Sequence, residues 1–351
     1  MARVPRSEIF DPNEIAIAHV TQRCVRRCFL MGWDPVSETN YDHRKQWLED
    51  RLAHFAGFFG IDLISFSILS NHFHLVLRSR PDVVATWDDT EVARRWLNIC
   101  PLRKDAEGMP QEPTRSELDT IRNDPDRLAM IRSRLSDISW WMRLLSQPLA
   151  AMANKEEDQQ GHFWQGRFRA VRLCDEASLL ACAAYVDLNP IRAALAETLE
   201  TSDFTSVQRR IESLPREGVT PSEPARDRFL APVELDEHRH AVGPVPSESP
   251  YRSSDKGFLP ITTLQYIQLL DWTARQVVPG KPGVTPEDTP EVLQRLRVSP
   301  AEWIGLVGEF GRLFSLVAGL PATLSRQRGR RTQHVFHTRR RFRELFASTA
   351  T

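Results

Sequence analysis

The chain has 351 residues, 41% of them hydrophobic, and its 46 Lys and Arg balance 46 Asp and Glu. That length is ample for a sizeable core and for more than one domain. No run approaches the roughly 20 apolar residues of a membrane span, while neutrality leaves a nucleic-acid partner open because the arginines are unevenly placed. The N-terminal stretch Met1-Ala2-Arg3-Val4-Pro5-Arg6 has no apolar core, and the five cysteines (Cys24, Cys28, Cys100, Cys174, Cys182) are few and odd in number. The expectation is a soluble cytoplasmic protein with free thiols. Cys24 and Cys28 lack a second Cys/His pair at zinc-finger spacing, so they read as structural.

In chain order, Ile15 to Thr21 alternates and is rich in β-branched residues, predicting a first strand. An arginine-rich turn follows (Arg23, Arg26, Arg27), then Cys28 to Met31 as a short return strand. Tyr41 to Phe59 carries apolar residues at helical spacing, with Gly60 as its C-terminal stop. Ile61 to Leu69 is a second strand, and only the turn at Ser70-Asn71 separates it from a third, so the two form an antiparallel hairpin. In that third strand His72, His74, Val76 and Arg78 share one face, while Phe73, Leu75 and Leu77 share the other. Two imidazoles side by side on a rigid strand suit a metal ion; a satisfied, half-buried pair at a strand end is the alternative.

Residues 83–99 read as a helix, Arg103 to Asp126 as a polar inserted loop, and Ile131 to Asn154 as a second helix. His162 to Leu173 interleaves aromatics with arginines and reads as a strand. Asp175 caps a helix running to Leu188, and Asn189-Pro190 is an N-cap signature for a new turn. Between Pro215 and Pro250 prolines and charges dominate, predicting a linker or an extended wrapping segment. Helical periodicity returns over 261–278 and 290–318, and the end is basic (Arg326, Arg328, Arg330, Arg331, Arg339, Arg340, Arg341, Arg343), as a solvated tail or a phosphate-binding arm. The pattern is α+β, an antiparallel sheet with helices on its faces. The expected organisation is a first domain over 10–210 with an insertion at about 103–128, a proline-rich linker over 211–258, a small helical C-terminal domain over 259–325 and a basic tail over 326–351.

Several stretches, in this order and spacing, resemble one family. They are His19-Val20-Thr21-Gln22-Arg23, Ser70-Asn71-His72-Phe73-His74-Leu75-Val76, Phe163-Trp164-Gln165-Gly166-Arg167-Phe168, and Tyr185-Val186-Asp187-Leu188-Asn189-Pro190-Ile191-Arg192-Ala193. Together they are similar to the HUH-type single-tyrosine transposases, in particular the REP-associated branch, over roughly 10–210. The resemblance implies a ferredoxin-like, RRM-like core in which His72 and His74 match the metal-binding histidine pair and Tyr185 matches the nucleophile. Asn189, at i+4 from Tyr185, matches a third polar ligand, with the Pro190 break after it. The implied activity is metal-dependent cleavage and strand transfer on single-stranded or hairpin DNA, with Mg²⁺ or Mn²⁺, leaving a 5′-phosphotyrosine and a free 3′-OH. Such a protein is nucleoid-associated when bound to DNA, and the family contains both monomers and homodimers, so the oligomeric state stays open.

The residue types agree with that chemistry. Cutting a phosphodiester needs an aligned nucleophile and positive charge on the non-bridging oxygens, and a phenol needs help to lose its proton. Arg23, Arg167, Arg169, Arg172 and Arg192 flank these positions as phosphate contacts, and Trp164 and Phe168 offer stacking surfaces for unpaired bases or, alternatively, core packing. Two other functions compete: a DNA-hairpin binder that does not cut, and a zinc-dependent hydrolase. The hydrolase needs a third strong ligand, for which His19 and His162 are unsupported by spacing.

Overall fold

A computed structural model describes residues 11, 13–25, 31–106, 108–215, 224–240, 242–277, 290–329 and 339–347. Arg26, Arg27, the return strand expected from Cys28, and Arg330 and Arg331 of the basic tail lie outside them. The chain opens with β1 (Ile17–Arg23), whose β-branched and apolar residues suit a pleated, half-buried surface. A small hairpin, β2 (Trp33–Asp34) with β3 (Thr39–Asn40), leads to α1 (His43–Phe58), which buries Leu48, Leu52 and Phe55. Gly60 ends α1, but not as a left-handed cap. Phe59 caps in an extended conformation, and a Cβ on Gly60 would collide with Val84.

β4 (Ile61–Ile68) and β5 (His72–Ser79) form the expected antiparallel hairpin. Two helices occupy the stretch expected as one, α2 (Pro81–Val84) and α3 (Asp89–Ile99), the second capped by Asp88. The polar stretch expected as an inserted loop carries α4 (Arg115–Arg122) and α5 (Pro125–Arg134). Thr114 and Glu117 form a capping box, and Asp124 followed by Pro125 starts α5, so local start signals outweigh the polar composition. In α6 (Ile138–Glu156) Trp141 packs against Phe55 and Phe59 of the first helical layer.

β6 (Arg169–Leu173) is shorter than the strand expected from His162. Asp175 caps α7 (Glu176–Asp187) as expected, its carboxylate accepting from Ser178 N at 2.9 Å. In α8 (Asn189–Arg192) the cap position is Leu188, so Asn189 is the first helical residue rather than the cap. Beyond α9 (Ser206–Glu212) and α10 (Glu237–His240) lie α11 (Thr263–Val277), α12 (Glu291–Arg295) and α13 (Pro300–Leu313). Then come β7 (Val317–Ala318), α14 (Pro321–Gly329) and α15 (Arg340–Ala347). No helix among the described residues is long and apolar enough to cross a membrane.

The five-stranded sheet runs β4-β5-β1-β6-β7. It is antiparallel except at its last pair, where β7 runs parallel to β6, so the sheet is mixed where the sequence suggested a purely antiparallel one. Two residues are too few to show a period, which is why β7 is invisible inside an apparently helical stretch. Each face carries its own apolar layer. Phe73, Leu75 and Leu77 pack with α1 and α6, while Val76 and Val171 pack with α7 and with Trp303, Leu306 and Phe310 of α13.

The proline-rich stretch is held against this body. Ala231 N donates to Leu63 O at 2.9 Å, Arg78 Nη1 to Gly257 O at 2.9 Å and Arg80 Nη1 to Ser254 Oγ at 2.6 Å. A Cβ on Gly257 would overlap the backbone of Glu234 and Leu235, which cannot swing away as a side chain would. Gly257→Ala is therefore expected to lower stability by about 1–3 kcal/mol, read from urea unfolding. A second tie joins α7, α9 and α11, where buried Asp187 accepts from Tyr266 Oη at 2.6 Å, from Val207 N at 3.1 Å and from Ser206 Oγ. Removing one donor leaves a buried carboxylate oxygen short of a partner, so Tyr266→Phe should cost about 1–3 kcal/mol in the same assay.

Candidate active site

Strand register builds the site. β1 lies between β5 and β6, with Thr21 opposite both His74 and Arg169, Arg23 opposite His72, and His19 opposite Val76 and Val171. Alternation then puts His19, Thr21, Arg23, His72, His74 and Arg169 on the face that α7 covers. The opposite face takes Ala18, Val20, Phe73 and Leu75 into the core, which fixes the polar set in place.

Tyr185 projects from α7 onto this set. Its ring meets His74 edge-on at 5.5 Å between centroids and His19 at 5.7 Å, and the His72 and His74 rings are 5.0 Å apart. The guanidinium of Arg192, on α8, lies 4.5 Å from the centre of the Tyr185 ring and donates to Gly308 O at 2.6 Å. Burial pulls Arg192 below the usual arginine range, with Tyr185 acting in the opposite sense. A guanidinium at that place offsets negative charge on the phenol oxygen. The cavity in front of these groups has a volume of about 690 Å³ and is bounded also by Arg23, Arg167, Arg169 and Arg312.

The three histidines are neutral near pH 7. Burial lowers His72 to about 4, helped by Arg23, and His19 to about 3, helped by Arg169. His74 is driven well below the usual value by burial first and then by its imidazole neighbours. Neutral imidazole is the form that ligates a metal. Asn71 Oδ1 lies 2.6 Å from His72 Nδ1 and, as an acceptor, receives a hydrogen bond from it, which places the proton on Nδ1. His74 Nδ1 faces His19 Nε2 at 2.8 Å, leaving His74 Nε2 buried with no hydrogen-bond partner.

The other expected residues divide. Asn189, on α8, is buried, its Nδ2 without a partner among the described residues, and does not line the cavity. Arg169 lines it but donates to Gly311 O and Phe314 O at the end of α13. Burial, reinforced by Arg339, holds its guanidinium below the usual range. Arg172 sits on the opposite face of β6 and pairs with Glu14 at 3.2 Å, so the structure does not bring it to the cavity. Phe168 is 8% exposed and belongs to the core, while half-buried Trp164 donates its indole N–H to Ser146 O at 2.8 Å. Both border an adjoining cavity of about 720 Å³ that shares Gln22, Gly166 and Arg167 with the first.

One contributor was set aside in the sequence for want of spacing, and another was missed. His19, two residues before Thr21, lies on a strand whose partners are unknown until the register is, so nothing near it in the chain tied it to His74. The other is α13: Phe310 packs on Tyr185 at 5.8 Å and on His19 at 5.9 Å, and a Cβ on Gly311 would stand 3.1 Å from the Tyr185 hydroxyl. No local signal announces that contact.

The donor set suits a divalent ion of mixed nitrogen and oxygen preference. Two neutral imidazoles each have Nδ1 occupied and one Nε2 is buried and unpartnered, whereas the unpartnered atom of Asn189 is its amide nitrogen, a hydrogen-bond donor and not a ligand. Among the described residues no three His, Cys, Asp or Glu side chains group to hold a metal. An all-His, Cys or carboxylate zinc site of the kind a hydrolase uses is therefore not assembled from them.

No family model matches the chain, and no curated protein matches it. Among solved structures the chain is similar to that of a REP-associated tyrosine transposase bound to a REP hairpin, at 12% identity and a TM-score of 0.36, over 64% of this chain and 96% of that one.

Proposed function

We propose that the protein is a transposase-like enzyme that cuts and rejoins single-stranded or hairpin DNA through Tyr185. The observation that carries the reading is the edge-on seat of the Tyr185 phenol against His74 and His19, on the floor of an arginine-lined cavity. Tyr185 Oη attacks a backbone phosphorus, the 3′ oxygen leaves with a proton, and the 5′ phosphate stays on the tyrosine. Attack by a free 3′-OH reverses the step and joins a new strand without an outside energy source. Arg192 compensates charge on the phenol oxygen, and Arg23 and Arg167 hold the backbone in register rather than reading bases. Bound at His72 and His74, with the Asn189 amide in support, Mg²⁺ or Mn²⁺ would supply positive charge to the non-bridging phosphate oxygens. The adjoining cavity, with Trp140, Trp164 and Arg143 at its edge, offers an unpaired base a stacking surface beside the cut. Such a protein works at the nucleoid.

The test uses hairpin oligonucleotides with single-stranded flanks, labelled at the 3′ end. With Mg²⁺ or Mn²⁺ the label should migrate with the protein on a denaturing gel, and chelation by EDTA should abolish the transfer. A hairpin set that is bound tightly but never cut would instead favour a non-cleaving DNA binder. The close seat of Gly311 over the Tyr185 hydroxyl is the observation on that side.

A further inference from the structure

The two nitrogens of the His74 ring have different surroundings. Nδ1 is 2.8 Å from His19 Nε2 and 3.1 Å from Thr21 Oγ1, whereas Nε2 is buried and unpartnered among the described residues. The His19 and His74 planes lie within 10° of each other with centroids 5.1 Å apart. That separation exceeds the nitrogen–nitrogen distance by about two ring radii, so the rings sit edge to edge rather than one above the other. In this arrangement an imidazole N–H and a neighbouring lone pair point along one line.

Between two facing imidazole nitrogens only one carries the proton, and the choice decides which His74 nitrogen is bare. Were His19 the donor, neutral His74 would carry its own proton on Nε2, a buried N–H with no acceptor, at a cost of about 1–3 kcal/mol. With His74 Nδ1 as donor, the Nε2 lone pair is bare in the ring that lines the cavity. His72 shows the same arrangement by a different route, since the Asn71 oxygen can only accept from its Nδ1.

We propose that His19 is a positioning residue: by accepting the proton of His74 Nδ1 it holds His74 in the tautomer whose Nε2 can take a divalent cation. The proposal rests on the reading of His72 and His74 as the cation-holding pair. Thr21 Oγ1, 3.3 Å from His19 Nε2 and 3.1 Å from His74 Nδ1, closes the triangle and keeps the two rings in line. Partners of this kind fix ring orientation as well as tautomer, and their loss weakens metal binding without removing a ligand.

The experiment is a Mn²⁺ titration of the full chain without DNA, followed by the electron paramagnetic resonance signal of free Mn²⁺. His19→Leu should weaken binding by about 10–100-fold, and His19→Gln, whose side-chain oxygen accepts the same proton, should recover most of that loss. A folded His19→Leu protein that binds Mn²⁺ like the wild type overturns the proposal, and so does a His19→Gln protein as weak as His19→Leu. A parallel His72→Ala titration reports on the underlying reading: if it matches the wild type, the histidine pair is not a cation site and both ideas fall. Should His19→Leu fail to fold, ¹⁵N-histidine spectra of the metal-free wild type decide directly. A proton on His74 Nδ1 is expected, and a proton on Nε2 overturns the assignment.

Discussion

Tyr185→Phe is expected to reduce covalent protein–DNA adducts to background while leaving hairpin binding within about tenfold of the wild type, since one hydroxyl contact is worth about 0.5–1.5 kcal/mol. The substitution is conservative because the ring has its own packing. It meets His74, His19 and Phe310 through its edges and face and lies under the Arg192 guanidinium, and phenylalanine keeps all of these contacts. Only the oxygen that would bond to phosphorus is lost. Comparing adduct yield on denaturing gels with affinity from gel shift separates the two effects. Adducts forming at the wild-type rate in the variant would mean that another side chain attacks, and the assignment of Tyr185 would fall.

Asp62→Ala is expected to be the most destabilising of the substitutions considered, by about 3–5 kcal/mol, because it strips the carboxylate from a buried cluster of charges. Asp62 Oδ2 accepts from Arg78 Nε at 2.7 Å and from Arg80 Nη1 at 3.3 Å, and all three side chains are buried. Arg80 keeps a second partner in Asp82 at 2.8 Å, but Arg78 is left with backbone carbonyls of the proline-rich stretch. Two guanidiniums would then face each other across a gap in low dielectric. The same two arginines tie residues 254–257 to the end of β5, so the wrapping segment should loosen as their guanidiniums shift. Equilibrium unfolding in urea gives the magnitude, and limited proteolysis between 224 and 260 reports the loosening. A loss below about 1 kcal/mol, the range of exposed ion pairs, would show that water already reaches the cluster.

Local patterns made the hairpin and its histidines readable. The alternation in His72–Ser79 specifies one polar and one apolar face, and the turn before it is too short for anything but antiparallel pairing. The Asp175 cap likewise announced the helix of Tyr185. Position across the sheet was not readable. His19 meets His74 only because β1 is inserted between β5 and β6, a choice made by packing that leaves no mark near either residue. Arg172 illustrates the opposite error: among closely spaced arginines, a shift of one residue along a strand moves a side chain to the other face, here to Glu14. The helices at 115–134 show composition failing where start signals succeed. Charge and proline suggested a loop, yet Thr114 with Glu117 and Asp124 with Pro125 are initiators.

β7 bears on what happens before the chain is finished. Arg172 N and Cys174 N donate to Leu316 O and Ala318 O at 2.8 and 3.0 Å, while the far border, β4, is met by Phe204 and Ala231. Both margins of the sheet are thus met by segments that follow its central strands in the chain, one of them far downstream of β6. A chain cut short after α8 would present open hydrogen-bonding borders beside the bare apolar flank of α7, the combination that templates strand addition between molecules. Self-association of truncated forms, and a need for protection during synthesis until β7 has been made, follow from that one two-residue strand.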